Sequence, residues 1–410
     1  MAHRESLRIV TTGCLVIMLF GACDRPQELR TEFDRDLQDT LFVAAAWSWD
    51  AAGAESYWRG LQLAATDANE DGGEMGQPLE PVRIDDKATV TEGRLAAHKI
   101  VNDGRYFAVI GHLHSHVSVP TAPVYERAGL LMMNPASTAP ELTPSGMRLV
   151  FRTVNSDVES ARQLATHFEE SGYGRVVICY VRNAYGLGLA NAFEAWAYRL
   201  GTEVVDRKSY EPSQSRSASS YSQVVQGWQD LRFDAVLLAG AAPQAAHVIR
   251  AIREAGLQQP ILGGDALHDE DMLALAGSAA EGLVVLSTFH PHNPNPRVES
   301  FRARYGKVYR SAPDAWTARG YESLAILVDA VRQAGSIDAK AIASVLRARD
   351  DWRGLHGPIG FDDEGNPLRR PGVAVQVVGG RFDFLREIRN FDHGPEGPPD
   401  PPKTSRAGAL

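Results

Sequence analysis

The stretch GHLHSHVSVPTAPVYERAGLLMMNPASTAPEL, residues 111–142, decides the fold of this chain. It begins where an apolar run, 106–110, ends in a glycine, and it continues through an amphipathic segment into a second apolar run, 130–133. Two short apolar strands joined by a helix are typical of a unit in which parallel strands lie side by side. We therefore predict a parallel sheet, with residues 111–142 at its centre.

Small polar residues follow both of these strands. Ser115 comes after the first strand, at the start of the helix, and Ala136, Ser137 and Thr138 come after the second. The carboxyl ends of parallel strands meet at one edge of a sheet, where ligands bind in open α/β folds. Backbone N–H groups at a helix N-terminus and nearby hydroxyls suit an anion such as a carboxylate. The sequence therefore predicts a carboxylate-binding half-site at this edge.

The same alternation of strand and helix continues along the chain. Strands that alternate with helices of about ten to fifteen residues indicate parallel sheets with helices on both faces. So many units exceed one sheet, and we predict an α/β protein of two doubly wound parallel-sheet lobes. The other predicted strands are 41–47, 82–85, 175–181, 203–210, 235–238, 261–262 and 282–286, and the other predicted helices are 57–69, 90–102, 157–171, 187–200, 221–231, 242–255, 296–309, 313–334 and 339–347.

Length and composition agree with two globular domains. The chain has 410 residues, of which 44% are hydrophobic and 23% charged, as in a soluble protein with ordinary cores. A formal net charge of −9 argues against nucleic acid as the main partner. After the first twenty residues no apolar run is long enough to span a bilayer, which excludes a polytopic membrane protein.

The N-terminus is typical of an export signal. Two arginines precede the apolar run 9–20, which is too short to cross a membrane. The run ends in Leu-Phe-Gly-Ala-Cys, which resembles the bacterial lipoprotein signal, although Cys23 could also be an ordinary leader residue. We predict a signal peptide at 1–22, lipidation of Cys23 and a polar tether at 23–40. The protein would then be periplasmic or otherwise extracytoplasmic, and lipid-anchored to a membrane.

No sequence pattern indicates catalysis. The chain has no Gly-x-Ser-x-Gly, no His-Glu-x-x-His and no phosphate-binding loop of its own. Cys179 would be the one cysteine left in the mature body, where it lies inside an apolar strand and reads as a small buried hydrophobe. We therefore predict a protein that is not an enzyme and that has no intrachain disulfide.

Several segments resemble the type I periplasmic binding proteins of branched-chain amino acid ABC transporters, the Leu/Ile/Val-binding kind. The resemblance covers about residues 41–386, and its most specific part is 111–113 followed by 134–142. The other matching segments are 60–69 (GLQLAATDAN), 101–110, 125–133, 151–153, 184–190, 252–256, 280–283 and 357–362 (GPIGFD).

This resemblance implies two lobes that close on a ligand about a three-segment hinge. The N-terminal lobe would comprise 41–153 plus 288–356, and the C-terminal lobe 154–287 plus 357–389. The remaining tail, 390–410, is rich in proline and glycine and is predicted to be disordered.

The resemblance also implies roles for individual residues. Ser115, Ala136 and Thr138 would hold the α-carboxylate of an amino acid and share its α-ammonium group. Tyr185 would cover the ligand from the second lobe, and Asp265 would pair with the ammonium group. Asp265 could instead cap a helix or be a solvated acid of a loop.

Departures from the family pattern concern specificity. Trp49 follows a shortened loop and is expected to face the crevice, Ala241 replaces an aromatic residue, and His116 flanks the carboxylate half-site. These changes suit a larger or more polar amino acid, or another small carboxylate. Three histidines spaced two apart, His112, His114 and His116, would point in different directions, so we predict no metal and no cofactor.

Two functions fit these expectations. The first is a solute-binding lipoprotein that captures an amino acid or related small carboxylate and delivers it to an ABC permease and its ATPase. The alternative is a ligand-sensing binding protein that reports to a receptor or regulator rather than to a transporter.

Overall fold

The computed structural model describes residues 40–144, 146–211, 221–368 and 370–388. The predicted signal peptide, the lipidation site Cys23, nearly all of the tether and the tail 390–410 lie outside these residues. Within the described part, no helix is long and apolar enough to cross a membrane.

The first sheet has five parallel strands in the order β2-β1-β3-β4-β5. The chain enters the sheet at its second position and places β3, from the stretch that decides the fold, at its centre. Every residue of β3 is buried, because helices cover both faces of the sheet. The strands are β1 (Leu41–Trp47), β2 (Leu79–Asp85), β3 (Tyr106–Gly111), β4 (Leu131–Asn134) and β5 (Val150–Arg152).

Helices α1 (Ala54–Glu70), α2 (Val90–Asp103) and α3 (Ser115–Arg127) connect the first four strands. Three later helices, α9 (Pro296–Tyr309), α10 (Ala315–Ala334) and α11 (Ala339–Ala348), also belong to this side of the molecule. Core residues of α10 and α11, such as Leu324 and Ile342, pack with residues of β1 and α1. The chain therefore returns to the first sheet before it adds the last two strands of the second.

The second sheet has seven strands in the order β15-β14-β10-β9-β8-β6-β7. The five strands β6 to β10 run parallel to one another. The strands β14 and β15 are antiparallel and extend the sheet at the edge beside β10. The strands are β6 (Arg175–Val181), β7 (Glu203–Tyr210), β8 (Ala235–Ala239), β9 (Ile261–Gly263), β10 (Val284–Ser287), β14 (Gly372–Val378) and β15 (Arg381–Ile388). The helices on this side of the molecule are α4 (Asp157–Glu170), α5 (Ala184–Arg199), α6 (Ser222–Val225), α7 (Gln244–Glu254) and α8 (Glu270–Ala276).

The predicted α/β class with two doubly wound lobes is confirmed, and three segments join the two sheets. The first leads from β5 to α4, the second from β10 to α9, and the third from the small antiparallel sheet to β14. That small sheet consists of β11 (Trp352–Gly354), β12 (Gly357–Phe361) and β13 (Pro367–Leu368).

The third crossing lies later than the sequence suggested. The predicted boundary assigned residues from 357 onward to the C-terminal lobe. Ile359 and Phe361 instead pack in the core of the first sheet, where the ring of Phe361 meets that of Phe151 edge to face. We therefore propose that the N-terminal lobe extends through β13 and that the third crossing lies between β13 and β14.

The predicted helix 221–231 is wrong as a single element. The structure has the four-residue α6 and a separate 3₁₀ turn, Trp228–Asp230. Gln226 is extended and Gly227 has a φ of 86°, so the helical path is broken between them. Trp228 is buried here, and its indole Nε1 donates to Asp206 at 2.7 Å.

Candidate functional site

Asn134, the last residue of β4, ties the ends of β3 and β4 together. Its Nδ2 donates to the carbonyl oxygens of Gly111 (2.7 Å) and His112 (3.0 Å). Its Oδ1 accepts from the backbone N–H groups of Ala136 (3.0 Å) and Ser137 (2.6 Å). Because a buried amide that lost these partners would be costly, the side chain fixes the path of both strand ends.

Ser115 and Thr138 meet at this edge of the first sheet. Ser115 is the first residue of α3, and its Oγ accepts from the backbone N–H of Ala139 at 3.4 Å. Both hydroxyl-bearing residues are nearly buried, with 8% of Ser115 and 4% of Thr138 exposed. The structure thus brings together the predicted polar residues that follow β3 and β4. We call Ser115, Ala136 and Thr138 the first half-site.

Asp157, which sequence reasoning did not single out, lies directly beside Thr138. Its backbone N–H donates to the carbonyl oxygen of Thr138 at 2.7 Å, which anchors the start of α4 to the first half-site. Its carboxylate is buried and forms no ion pair with any described residue, and the donor near it is the hydroxyl of Thr138, which lies outside ideal hydrogen-bond geometry but close enough to lower the pKa of the carboxyl group. Burial raises the pKa of Asp157 to about 8; Asp265 adds to the rise, while Thr138 and Arg152 oppose it.

Tyr185, in the first turn of α5, faces the same place from the second lobe. Its hydroxyl is buried without a partner among the described residues. A Cβ at Gly264 would lie 2.6 Å from that hydroxyl, so the close approach requires glycine there. Burial raises the pKa of Tyr185, and the carboxylates of Asp265 and Asp157 raise it further. These three side chains are therefore neighbours.

Asp265 already has a cationic partner within the protein. Its Oδ2 lies 2.6 Å from Nη2 of Arg319, a residue of α10, and the Arg319 side chain is only 4% exposed. Nε of Arg319 donates to Oγ1 of Thr288 at 3.0 Å, and its guanidinium lies 4.6 Å from the centre of the Trp316 ring. Asp265 is thus neither a helix cap nor a solvated acid but half of an ion pair between the lobes.

Asp157, Tyr185, Asp265 and Arg319 form what we call the second half-site. Thr138 of the first half-site and Asp265 of the second line one narrow cavity, together with Thr288. The two half-sites therefore offer hydroxyl donors and acidic oxygens around the same cleft. A small molecule with one anionic and one cationic group fits such an arrangement.

Three other predicted site residues have no described contact with either half-site. Trp49 packs against Arg83, whose guanidinium lies 4.7 Å from its ring centre, and its Nε1 donates to the carbonyl oxygen of Ile84. His116 is exposed, and its Nε2 lies 2.9 Å from the carbonyl oxygen of Ala88. Ala241 precedes α7, where its carbonyl oxygen accepts from the N–H of Ala245.

Trp47 rather than Trp49 connects to the cleft. Its ring is buried, stacks on Tyr57 with a centroid distance of 3.8 Å, and meets Trp316 edge to face at 6.0 Å. The ring of Trp316 in turn packs against the guanidinium of Arg319 in a cation–π contact. An aromatic layer therefore supports the second half-site from the N-terminal lobe.

The three histidines that follow β3 make different contacts. His112 is fully buried, with Nδ1 2.7 Å from Asp86 and Nε2 3.0 Å from the hydroxyl of Tyr125. His114 and His116 stack on each other, and burial lowers the pKa of His114. No group of three or more metal-ligating side chains gathers anywhere in the described ranges.

A larger surface groove lies near α9, α10 and β11 and shares no residue with the cleft. Arginines and aspartates line it, and two of the arginines form ion pairs. Arg349 lies 2.7 Å from Asp351, and Arg332 lies 2.9 Å from Glu74. None of the predicted site residues lies in this groove.

Comparison with known proteins agrees with this geometry. A model of the periplasmic binding protein family matches residues 44–381. The chain is 31% identical over 333 residues to Leu/Ile/Val-binding protein homolog 2 of Brucella abortus, which covers 80% of this chain and 86% of that protein. It is also 31% identical over 312 residues to the Leu/Ile/Val-binding protein of Escherichia coli K12, which covers 75% and 82% of the two chains.

Solved structures give the same result. An ABC transporter substrate-binding protein from Desulfitobacterium hafniense, in complex with Leu, superposes with a TM-score of 0.75 at 33% identity, over 84% of this chain and 100% of that one. The leucine-binding protein LivK of Thermotoga maritima gives a TM-score of 0.77 at 28% identity, over 85% and 99%. The chain therefore belongs to the type I periplasmic binding proteins, in the Leu/Ile/Val-binding family of ABC-transporter substrate-binding proteins.

Proposed function

We propose that this protein is an extracytoplasmic solute-binding lipoprotein of an ABC importer. It captures an amino acid, or a related small carboxylate, in the cleft between its two lobes. Closure of the lobes then presents the loaded protein to a permease, which an ATPase drives. The names of its relatives and the export signal at the N-terminus support this proposal.

The first half-site would bind the α-carboxylate. Ser115 and Thr138 supply hydroxyl donors, whereas the backbone N–H groups of Ala136 and Ala139 are already bonded to Asn134 and Ser115. These donors carry no full charge, so the carboxylate would be held by oriented dipoles at the N-terminus of α3. Asn134 keeps them in place before the ligand arrives.

The observation that carries the proposal is the buried carboxylate of Asp157, which forms no ion pair with any described residue and lies beside Thr138. An unpaired buried carboxylate is costly, and a ligand ammonium would relieve that cost. Asp265 was the predicted ammonium partner, but Arg319 already compensates its charge. We therefore assign the ammonium group to Asp157 and the covering role to Tyr185.

Lipidation of Cys23 would hold the protein at the outer face of a membrane, close to its permease. A binding protein needs no reactive thiol, and the one free cysteine among the described residues is buried. Cys179 is fully buried in β6, and burial raises the pKa of its thiol. We propose no catalytic activity and no cofactor.

A thermal-shift screen of the purified protein tests the proposal. Amino acids, amides and small carboxylates should be screened, because a ligand at about 100 times its Kd stabilises the folded state by roughly 2.7 kcal/mol. We expect at least one amino acid to raise the melting temperature. If no compound with a carboxylate does so, the proposed function is wrong.

A further inference from the structure

Arg319 and Asp265 form an ion pair that also leaves polar atoms available to a ligand. Resting on the proposed function, we propose that this pair recognises the side chain of the bound amino acid, and that the preferred ligand carries a carboxamide. The ligand class would be glutamine or asparagine rather than an aliphatic amino acid.

Each partner keeps one polar atom available. Arg319 uses Nη2 for Asp265 and Nε for Thr288, and Asp265 uses Oδ2 for Arg319. Among the described residues, nothing bonds to the Nη1 of Arg319 or to the Oδ1 of Asp265. The pair thus retains one donor group and one acceptor atom that no protein hydrogen bond among the described residues uses. A carboxamide has the complementary acceptor and donor on one carbon atom.

The charge balance of the cleft favours a neutral group. Arg319 and Asp265 cancel each other, and the ligand's ammonium is assigned to Asp157. A second carboxylate on the ligand would add negative charge close to both acids of the second half-site, where the charge of Asp265 already adds to the raised pKa of Asp157. A hydrocarbon side chain would desolvate Nη1 and Oδ1 without replacing their lost hydrogen bonds to water.

Arg319 is also held rigidly enough to discriminate between ligands. Its side chain is 4% exposed, its guanidinium lies over Trp316, and its Nε is fixed by Thr288. A pre-oriented planar guanidinium loses little conformational freedom when it binds. Thr288 and Asp265, the two residues to which Arg319 is bonded, line the same cavity as Thr138, which brings Asp265 to the cleft and Arg319 directly behind it.

Calorimetric titration with near-isosteric amino acids tests this inference. L-glutamine, L-methionine and L-glutamate have side chains of similar length with an amide, a thioether and a carboxylate, and L-asparagine and L-leucine complete the set. We expect an amide to bind at least about tenfold more tightly than methionine, leucine or glutamate. In Arg319→Met the affinity for the amide should fall at least about tenfold, while that for methionine changes less than about threefold.

The matched control is Arg302→Met, which removes an arginine of α9 that contacts only the carbonyl of Pro291 among the described residues. It should keep the wild-type order of affinities. The inference is overturned if methionine, leucine or glutamate binds most tightly to the wild type, even should Arg319→Met fail to fold. It is also overturned if the preference for the amide survives in a folded Arg319→Met. If none of the five amino acids binds, this inference is overturned, while the proposed function is decided separately by the thermal-shift screen of the wider set of amino acids, amides and small carboxylates.

Discussion

The two half-sites of the cleft differ in how the chain builds them. The first half-site comes from one continuous stretch, in which β3, α3 and β4 bring Ser115 and Thr138 together. The second half-site is assembled from the starts of α4, α5 and α10 and from the turn after β9. The first is held by a dense network around Asn134, whereas the second contains buried polar atoms without partners, on Asp157 and Tyr185.

This difference suggests that the two half-sites have separate roles in ligand binding. The network around Asn134 fixes the first half-site before a ligand arrives, and the pre-positioned hydroxyls of Ser115 and Thr138 suit the α-carboxylate that all amino acids share. Groups left without partners are satisfied only by a ligand, so they determine whether the lobes close and on what. We therefore expect changes in the first half-site to affect stability most, and changes in the second to affect affinity and selectivity most.

The largest effect on stability is expected for Asn134→Ala. It leaves the carbonyls of Gly111 and His112 and two backbone N–H groups unpaired in the core, which should lower the free energy of unfolding by about 3 kcal/mol. Urea unfolding measures this value. The control, Asn102→Ala, changes an exposed residue of α2 and should stay within about 0.5 kcal/mol. Equal costs for both variants would mean that the network does not stabilise the first half-site.

A smaller but more specific effect is expected for Asp157→Asn. The variant keeps the shape of the side chain and loses the charge assigned to the ammonium group. The affinity for the amino acid identified by the thermal screen should fall about 100-fold, or ~2.7 kcal/mol, with no loss of stability. Calorimetry gives the affinity, and Asp230→Asn, at an exposed position, is the matched control. Wild-type affinity in Asp157→Asn would remove Asp157 from the site.

The smallest of the three effects is expected for Thr138→Ala. Loss of one hydroxyl donor should weaken binding about tenfold, or ~1.4 kcal/mol. Thr138→Ser retains the hydroxyl and should bind within about threefold of the wild type. His116→Ala, at the exposed residue that bonds to Ala88, should leave the affinity unchanged. An effect of His116→Ala as large as that of Thr138→Ala would show that the cleft extends toward α2.

Much of the fold could be predicted, because local patterns decide it. The strands β1, β6 and β7 and helix α9 begin and end at the predicted residues. The antiparallel strands β14 and β15 were missed, although Gly379 and Gly380 both have positive φ and form the turn of a hairpin. The pair of glycines was not recognised as a hairpin turn because the rest of the chain alternates strands with helices. Gly227 was likewise not recognised as the residue at which the helix breaks.

The first half-site was predictable for the same reason, since its residues lie close together in the sequence. Arg319 was not, because it lies within a long amphipathic helix and its partner Asp265 belongs to the other lobe. Asp157 resembles an ordinary acid in the first turn of a helix, where negative charge is favourable. Only the packing of α4 against Thr138 reveals that its carboxylate is buried. Trp49 was expected in the crevice, but its contacts with Arg83 and Ile84 hold it beside β2.

The central claim is that Asp157 receives the ligand's ammonium group, and proton release on binding tests it most directly. The pKa of Asp157 is about 8 before binding, so its carboxyl group is mostly protonated at pH 7. An ammonium partner favours the ionised form and lowers that pKa, so binding should release close to one proton and tighten as the pH rises from 6 to 8. Calorimetry at pH 7 in buffers of different ionisation enthalpy measures the release. We predict nearly one proton for the wild type and none for Asp157→Asn, whereas binding without proton release in the wild type would contradict the account.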